Sequence, residues 1–178
     1  MRVIAGSARS TRLQYPKGVR IRPTSDHVRE SLFASLGEEL AGSRFCDLYA
    51  GAGTVGIEAL SRGAQNAVFV ERNSRCLQAL YANLENTHLV ESAEVIRGNL
   101  PGCIKEVWQK SGPFGIVFAD PPYADDPQPV LLALAEVMAE AGGLLLLQCD
   151  SRTDPEAPGL ELLRSQLFGD TVVIWYRL

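Results

Sequence analysis

A glycine-rich turn of the pattern GxGxxG spans residues 51–56, between a predicted strand and a predicted helix. Glycines let the backbone turn tightly and approach a ligand with no side chain in the way. Glu71 follows 20 residues after Gly51, at the end of the next predicted strand, where a carboxylate accepts both ribose hydroxyls of an adenosine-containing cofactor. We therefore predict that Gly51, Gly53 and Glu71 bind a cofactor. The alternative is a structural turn followed by a solvent-exposed glutamate.

Asp47 lies four residues before Gly51, at the end of the preceding predicted strand. A carboxylate there would repel the pyrophosphate of a dinucleotide, which needs the N-terminus of the following helix. It would attract the ammonium group of an amino-acid moiety, and S-adenosylmethionine combines that group with adenosine and has no phosphate. The arrangement D-x-Y-x-G-x-G also resembles the first motif of class I methyltransferases. We assign Asp47 and Tyr49 to an S-adenosylmethionine site, with a nicotinamide-dependent oxidoreductase as the alternative.

Asp120, Pro121, Pro122 and Tyr123 form a loop after the fourth predicted strand. The carboxylate of Asp120 and the carbonyl oxygen of Pro121 can accept the two N–H bonds of a purine amino group. Acceptance of both N–H bonds favours a pyramidal amino nitrogen. The lone pair of that nitrogen then points at a sulfonium methyl group. Paired prolines hold such acceptors rigidly, and Tyr123 can stack on the base, a contact worth roughly 1–3 kcal/mol. We predict that these four residues are catalytic; a proline turn at a strand end is the structural alternative.

Asn99 follows the third predicted strand and precedes Pro101, which we place in the first turn of a helix. Its side chain is expected to hydrogen-bond the adenine of the cofactor or, alternatively, to cap that helix. The four cysteines are 27 or more residues apart, and the chain has two histidines. This pattern predicts reduced, buried thiols and neither a metal site nor a disulfide framework.

Strands alternate with helices along the chain, which predicts a doubly wound α/β fold with a mostly parallel, seven-stranded sheet. In such folds ligands bind at the carboxyl ends of the strands. We expect residues 1–25 to form a hairpin and loop extension and residues 26–178 to form the main domain. The predicted strands are 45–49, 67–70, 93–97, 114–119, 144–148, 160–164 and 171–177, and the predicted helices are 26–36, 54–61, 74–86, a segment from 101, and 129–140.

The composition is that of an ordinary folded domain, with 178 residues of which 46% are hydrophobic and 21% charged. It excludes disordered, collagen-like and repeat proteins. The apolar runs are too short to cross a bilayer, and the first residues lack the apolar core of a signal peptide. We therefore expect a cytoplasmic protein without a membrane partner, and a monomer.

Basic residues are concentrated near the N-terminus. Residues 1–30 contain seven Lys and Arg against two Asp and Glu, whereas the rest of the chain contains ten against 19. This asymmetry indicates a polyanionic partner that approaches from one side. An ordinary solvated surface segment is the alternative.

Taken together, these stretches are similar to the bacterial small-subunit (16S) ribosomal RNA guanine-N2 methyltransferase family (RsmD-like). The resemblance covers nearly the whole chain, and its most discriminating part is the string R-P-T-x-D-x-V-R-E-x-L-F at residues 22–33. It also includes R-V-I-A-G at residues 2–6, the glycine turn and the Asp-Pro-Pro-Tyr loop. The resemblance implies a class I methyltransferase fold and transfer of a methyl group from S-adenosylmethionine to a guanine N2 in 16S rRNA, leaving S-adenosylhomocysteine. It further implies that the substrate is an assembled 30S subunit or a late particle.

The resemblance also assigns the basic N-terminal residues to RNA binding, through phosphate contacts that fix position without reading sequence. The expected RNA-binding residues are Arg9, Arg12, Arg20, Arg22 and Arg29, the last because it lies off the apolar stripe of its helix. The family usually has G-x-x-[KR]-G-R in the hairpin, where residues 9–12 of this chain are Arg-Ser-Thr-Arg. Two alternatives are a DNA adenine-N6 methyltransferase, which also uses Asp-Pro-Pro-Tyr, and a non-catalytic RNA-binding assembly factor.

Overall fold

The central sheet has seven strands in the order β3-β2-β1-β4-β5-β7-β6. A computed structural model of the chain describes residues 1–16, 18–19, 24–123, 125–138 and 143–177. The first five strands are parallel, and β7 is antiparallel to both β5 and β6. The strands are β1 (Arg44–Leu48), β2 (Asn66–Glu71), β3 (Ala93–Arg97), β4 (Ile116–Ala119), β5 (Leu144–Asp150), β6 (Glu161–Phe168) and β7 (Thr171–Arg177).

Helices cover both faces of this sheet. They are α1 (Asp26–Leu36), α2 (Thr54–Ser61), α3 (Ser74–Thr87), α4 (Ile104–Ser111) and α5 (Gln128–Met138). Leu32 of α1, Ile57 of α2 and Leu80 of α3 belong to the apolar core on one face. Val107 of α4 and Leu131 of α5 belong to the core on the other face. The predicted doubly wound, mostly parallel fold is therefore confirmed.

Several predicted boundaries miss by two residues or more. Strand β4 begins at Ile116 and not at residue 114, and β5 continues to Asp150, beyond residue 148. Pro101 lies in a turn, and α4 begins three residues later at Ile104, with Cys103 at its N-cap. Strand β6 continues to Phe168, beyond the predicted end at residue 164. It lies at the sheet edge, and five consecutive exposed residues at its start remove the alternation of buried and exposed positions by which a strand is recognised.

The N-terminal extension is a hairpin that packs on the main domain. An antiparallel bridge joins Arg2 to Arg12, and the Val3 amide donates to the Thr11 carbonyl oxygen at 3.0 Å. Val3 and Leu13 are buried in the core beside α1. The hairpin therefore shares a core with the rest of the fold, and the proposed boundary at residue 25 stays a prediction.

Within the described residues, none of the helices combines the length and the apolar composition required of a membrane-spanning helix.

Candidate active site

The glycine turn after β1 has the backbone geometry that its sequence predicts. Tyr49, Gly51 and Gly53 all have positive φ, at 61°, 56° and 78°, and Gly53 is the N-cap of α2. A Cβ on Gly53 would lie 2.2 Å from the Cδ1 atom of Leu80, so this position requires glycine for both its conformation and its packing. A Cβ on Gly51 would have no neighbour closer than 4.0 Å. Gly51 therefore faces open space, where a ligand can approach the backbone.

Glu71 at the end of β2 is held by three backbone amides. One carboxylate oxygen accepts from Gly51 at 2.8 Å, and the other accepts from Arg72 at 2.8 Å and Asn73 at 2.7 Å. These bonds tie the carboxylate to the glycine turn and leave acceptor capacity on the oxygen that accepts from Gly51. Glu71 thus lies where a cofactor-binding carboxylate was predicted, in an orientation that the sequence did not reveal.

Asp47 is 2% exposed, and its Oδ2 atom accepts from the Gly56 amide in the first turn of α2 at 2.9 Å. Burial raises the pKa of Asp47 from 3.8 to about 7, opposed by the Gly56 hydrogen bond and reinforced by the charges of Asp120 and Glu71. Asp47 therefore changes its charge near neutral pH. Nearby Tyr49 is half-buried, and burial also raises its pKa, to about 12.

Three carboxylates meet at the carboxyl ends of neighbouring strands. β1 pairs with β2 on one side and with β4 on the other, which brings Asp47 of β1 beside Glu71 of β2 and Asp120 after β4. We call Asp47, Glu71 and Asp120 the acidic crevice. Such a crevice attracts a cationic ligand and repels an anionic one. Its charge fits the ammonium and sulfonium groups of S-adenosylmethionine and is unfavourable for a pyrophosphate.

Tyr123, the last residue of the Asp-Pro-Pro-Tyr loop, borders a cavity of about 390 Å³. We call this cavity the strand-end pocket; its lining includes Ser25, His27, Tyr123, Gln148, Phe168 and Thr171. Tyr123 is partly buried, with its hydroxyl 2.7 Å from the Thr171 Oγ1 atom. Pro121 is buried and Pro122 exposed. The ring of Tyr123 thus lies at the pocket wall, as stacking on a base requires.

Other residues of the strand-end pocket were missed by sequence reasoning. His27 at the start of α1 packs edge-on against Phe168 at the end of β6, with ring centroids 5.5 Å apart. Gln148 on β5 is 4% exposed, and its Oε1 atom has no hydrogen-bond partner among the described residues. The sequence feature that could have identified Gln148 is a polar side chain directly after four consecutive leucines, Leu144–Leu147.

Asn99 is exposed on the loop after β3. Its Oδ1 atom accepts from the Arg72 guanidinium at 3.2 Å. It does not cap α4, whose N-cap is Cys103, so the capping alternative is wrong. Because Arg72 directly follows Glu71, this bond keeps Asn99 near the cofactor side of the crevice, and its contact with adenine stays a prediction.

The prediction that Arg29 contacts RNA is wrong. Its side chain is fully buried, and its guanidinium donates to Glu58 at 3.3 Å, to the Arg2 carbonyl oxygen at 2.8 Å and to Asp26 at 2.9 Å. The apolar stripe of α1 was identified correctly, but Arg29 lies under the N-terminal extension, where a phosphate cannot reach it. Arg9 and Arg12 are exposed on the hairpin. Arg20 and Arg22 lie outside the described residues.

The cysteines are free thiols, and burial is the main cause that raises the pKa of each. The part of the chain that the structure describes contains no group of three or more His, Cys, Asp and Glu side chains arranged to hold a metal ion.

Known proteins resemble this chain over two thirds or more of its length. It is 35% identical to a putative rRNA methyltransferase of Bacillus subtilis over 99% of this chain and 98% of that one. It is 37% identical to ribosomal RNA small subunit methyltransferase D of Escherichia coli strain K12, over 69% of this chain and 60% of that one. A solved structure of a putative methyltransferase from Escherichia coli superposes with a TM-score of 0.82 and 30% identity, covering 99% of this chain and 97% of that one.

A family model matches residues 1–177, which is almost the entire chain. Its description is conserved hypothetical protein 95. The match supports the resemblance that the motifs at residues 22–33, 47–56 and 120–123 indicated, and the solved structure confirms a class I methyltransferase fold. The chain therefore belongs to the conserved hypothetical protein 95 family, the RsmD-like family of methyltransferases.

Proposed function

We propose that this protein transfers a methyl group from S-adenosylmethionine to the exocyclic N2 of a guanine in 16S ribosomal RNA. The observation that carries the proposal is the meeting of the acidic crevice and the Asp-Pro-Pro-Tyr loop at one edge of the sheet, beside the strand-end pocket. A cationic methyl donor and a planar base then have adjacent sites. The names of the relatives from Bacillus subtilis and Escherichia coli support an rRNA substrate.

The cofactor is held by the residues around the glycine turn. Glu71 accepts a ribose hydroxyl on the oxygen that its three amide bonds leave with spare acceptor capacity. Asp47, in its ionised form, attracts the amino-acid ammonium group, and Asn99 lies near enough to Glu71 to meet the adenine edge. Gly51 allows close approach of the ligand to the backbone, Gly53 gives the turn its conformation and packs against Leu80, and Tyr49 belongs to the same turn. When bound, S-adenosylmethionine supplies an electrophilic methyl group.

The Asp-Pro-Pro-Tyr loop orients the amine that receives the methyl group. Asp120 and the Pro121 carbonyl oxygen accept the two N–H bonds of the guanine amino group and so direct its lone pair. Tyr123 stacks on the base while the Thr171 contact fixes its hydroxyl. Placement of this kind supplies on the order of 7–11 kcal/mol of a reaction barrier. The chemistry requires no metal, because the amino group becomes acidic as it is methylated.

RNA approaches from the side of the N-terminal hairpin, where Arg9 and Arg12 are exposed. We propose that they contact phosphates of an assembled 30S subunit or late particle, with the protein acting as a monomer in the cytoplasm, where subunits are assembled. Charge reversal at both positions should weaken RNA binding and flatten its dependence on salt. An unchanged salt slope, measured by titration at several salt concentrations, would place the RNA surface elsewhere.

The proposal is tested by incubating the protein with methyl-labelled S-adenosylmethionine and, in parallel, 30S particles, free 16S rRNA or duplex DNA. We expect N2-methylguanosine in the rRNA, identified by mass spectrometry of the digested nucleosides. Labelled adenosine or labelled DNA would overturn the substrate assignment. Absence of label in every substrate, with normal S-adenosylmethionine binding, would indicate an assembly factor in place of an enzyme.

A further inference from the structure

Gln148 lies beside the predicted catalytic loop on the same side of the sheet. The register of β4 and β5 pairs Ala119 with Leu147, so Asp120 and Gln148 are the next positions along two neighbouring strands. Phe118 and Leu146, two residues earlier, both belong to the core under α1, α2 and α3. Because side chains alternate along strands, Gln148 and Asp120 extend to that same side.

The amide of Gln148 is costly for the fold as it stands. Gln148 is 4% exposed, follows four buried leucines and has an Oε1 atom without a hydrogen-bond partner in the described part of the chain. A buried acceptor that receives no hydrogen bond from the protein is destabilising unless water or a ligand supplies the donor, and an apolar side chain of similar size would avoid this cost. The same side chain lines the strand-end pocket. A ligand that enters the pocket with a suitable donor would satisfy the amide.

The Watson–Crick edge of guanine supplies that donor. Its N2 amino group is adjacent to N1–H, and N1–H is adjacent to the O6 acceptor. If Asp120 and Pro121 hold N2, then N1–H and O6 are the next groups along the Watson–Crick edge. They extend from Asp120 toward β5, the neighbouring strand, where Gln148 lies. A carboxamide offers one acceptor and one donor side by side, the complement of N1–H and O6.

We propose that Gln148 recognises the target guanine, with Oε1 accepting from N1–H and Nε2 donating to O6. This inference rests on the proposed function and adds the residue that selects the base. 2-Aminopurine keeps the reactive amino group but has no hydrogen on N1 and no O6. Rotation of the amide would let Nε2 donate to N1 of 2-aminopurine, yet Oε1 would then face C6–H and remain unsatisfied.

The test combines two proteins with two substrates. The target nucleotide is first located with wild-type protein, and 16S rRNA is then prepared by splinted ligation with guanine or 2-aminopurine at that position and reconstituted into 30S particles. Methyl transfer is measured as kcat/KM for wild type and Gln148→Met. We expect wild type to prefer guanine by about 10- to 100-fold, the discrimination typical of a bidentate contact. We expect Gln148→Met to lose a similar factor on guanine and to have almost no preference between the bases.

Two controls separate recognition from a structural role. Because Oε1 has no hydrogen-bond partner among the described residues, Gln148→Met should unfold at the same or a higher temperature than wild type and bind S-adenosylmethionine equally well. Gln109→Met, which makes the same substitution at an exposed position on α4, should leave kcat/KM and the base preference unchanged. Gln148→Leu, which repeats the residue of the four preceding positions, serves as the second variant if Gln148→Met folds poorly.

The inference is overturned if wild type methylates 2-aminopurine as well as guanine, a result that needs no variant. It is also overturned if a folded Gln148 variant keeps the wild-type preference. Failure of the proposed function gives a different result, because wild-type protein would then place no methyl group on a guanine N2 in any rRNA.

Discussion

Two buried carboxylates in this molecule, Glu58 and Asp47, have opposite surroundings. Glu58 on α2 is fully buried and accepts from four donors: the amides of Ile4 and Ala5 at 2.8 and 3.0 Å, Arg29 at 3.3 Å and Arg62 at 2.7 Å. Asp47 in the acidic crevice is nearly as deeply buried, but its described partner is a single amide. Burial raises its pKa, and the charges of two other carboxylates add to this effect.

The difference in surroundings distinguishes a structural cluster around Glu58 from a ligand site around Asp47. Around Glu58, two arginines and two amides balance the charge, and the bonds join the N-terminal hairpin, α1 and α2 into one unit. In the acidic crevice, charges of one sign are held together by the fold. Like charges at close range are unfavourable, so this arrangement is more stable when a cation binds.

Removal of Glu58 should have the largest effect on stability. Glu58→Ala would leave the buried guanidinium of Arg29 without its buried partner, and breaking a buried ion pair costs about 3–5 kcal/mol. Urea denaturation measures the loss. The control is Glu39→Ala at the exposed Glu39–Arg177 pair, for which we expect about 1 kcal/mol or less. Equal losses in the two variants would contradict the structural assignment of Glu58.

Asp120→Ala should have the largest effect on activity with little effect on stability. Loss of one aligned acceptor is expected to reduce kcat by about 10²- to 10³-fold, by analogy with removal of one oriented donor from an oxyanion hole, while S-adenosylmethionine affinity stays within several-fold. Labelled methyl transfer and calorimetry measure the two quantities. Asp154→Ala, at an exposed aspartate, is the matched control. Normal turnover by Asp120→Ala would remove Asp120 from the mechanism.

Glu71→Gln should weaken cofactor binding without unfolding the protein. The amide keeps an oxygen for the backbone donors of the glycine turn but loses the charge and one of the two acceptor oxygens. We expect about a 10-fold rise in the Kd for S-adenosylmethionine, since a hydrogen bond to a charged group contributes about 1.5–3 kcal/mol. Calorimetry provides the measurement. Unaltered affinity would be incompatible with ribose recognition by Glu71.

The raised pKa of Asp47 predicts that stability and cofactor affinity depend on pH, with opposite signs. Its folded-state pKa of about 7 lies above the ordinary value of 3.8, so its contribution to stability is fully present below the ordinary pKa and is lost as pH rises through the folded value. Binding of the cofactor ammonium has the opposite trend, because only ionised Asp47 attracts it. We expect affinity for S-adenosylmethionine to increase by at most about 10-fold from pH 6 to pH 8.

The matched variant is Asp47→Asn, which keeps an oxygen to accept from Gly56 but does not titrate. Its affinity should be lower at pH 8 and nearly constant over the same interval, by calorimetry in one buffer series. A variant that retains the wild-type pH profile would show that another group is responsible.

The sequence predicted the bounds of some elements correctly. Helices α1 and α2 and strands β3 and β7 have the predicted bounds. For α1 the reason is local geometry, because Val28, Leu32 and Leu36 recur at helical spacing and are all buried. Glu71 was identified from its separation along the sequence from the glycine turn, because one strand–helix–strand unit sets that number of residues. Arg29 was misassigned and Gln148 was missed for a shared reason: the role of each depends on what another element places opposite it. No local pattern in α1 reveals that Glu58 lies above Arg29.

The position of β7 in the sheet has a consequence for how the protein is made. This strand follows β6 in the chain but lies between β5 and β6 in space. While the ribosome is still translating the β7 codons, the nascent chain already contains Asp47, Glu71 and Asp120, but β6 has no neighbour to pair with. Phe168 and Thr171 can line the strand-end pocket together only after this insertion. During synthesis, the residues proposed to bind the methyl donor can therefore assemble before this pocket is complete.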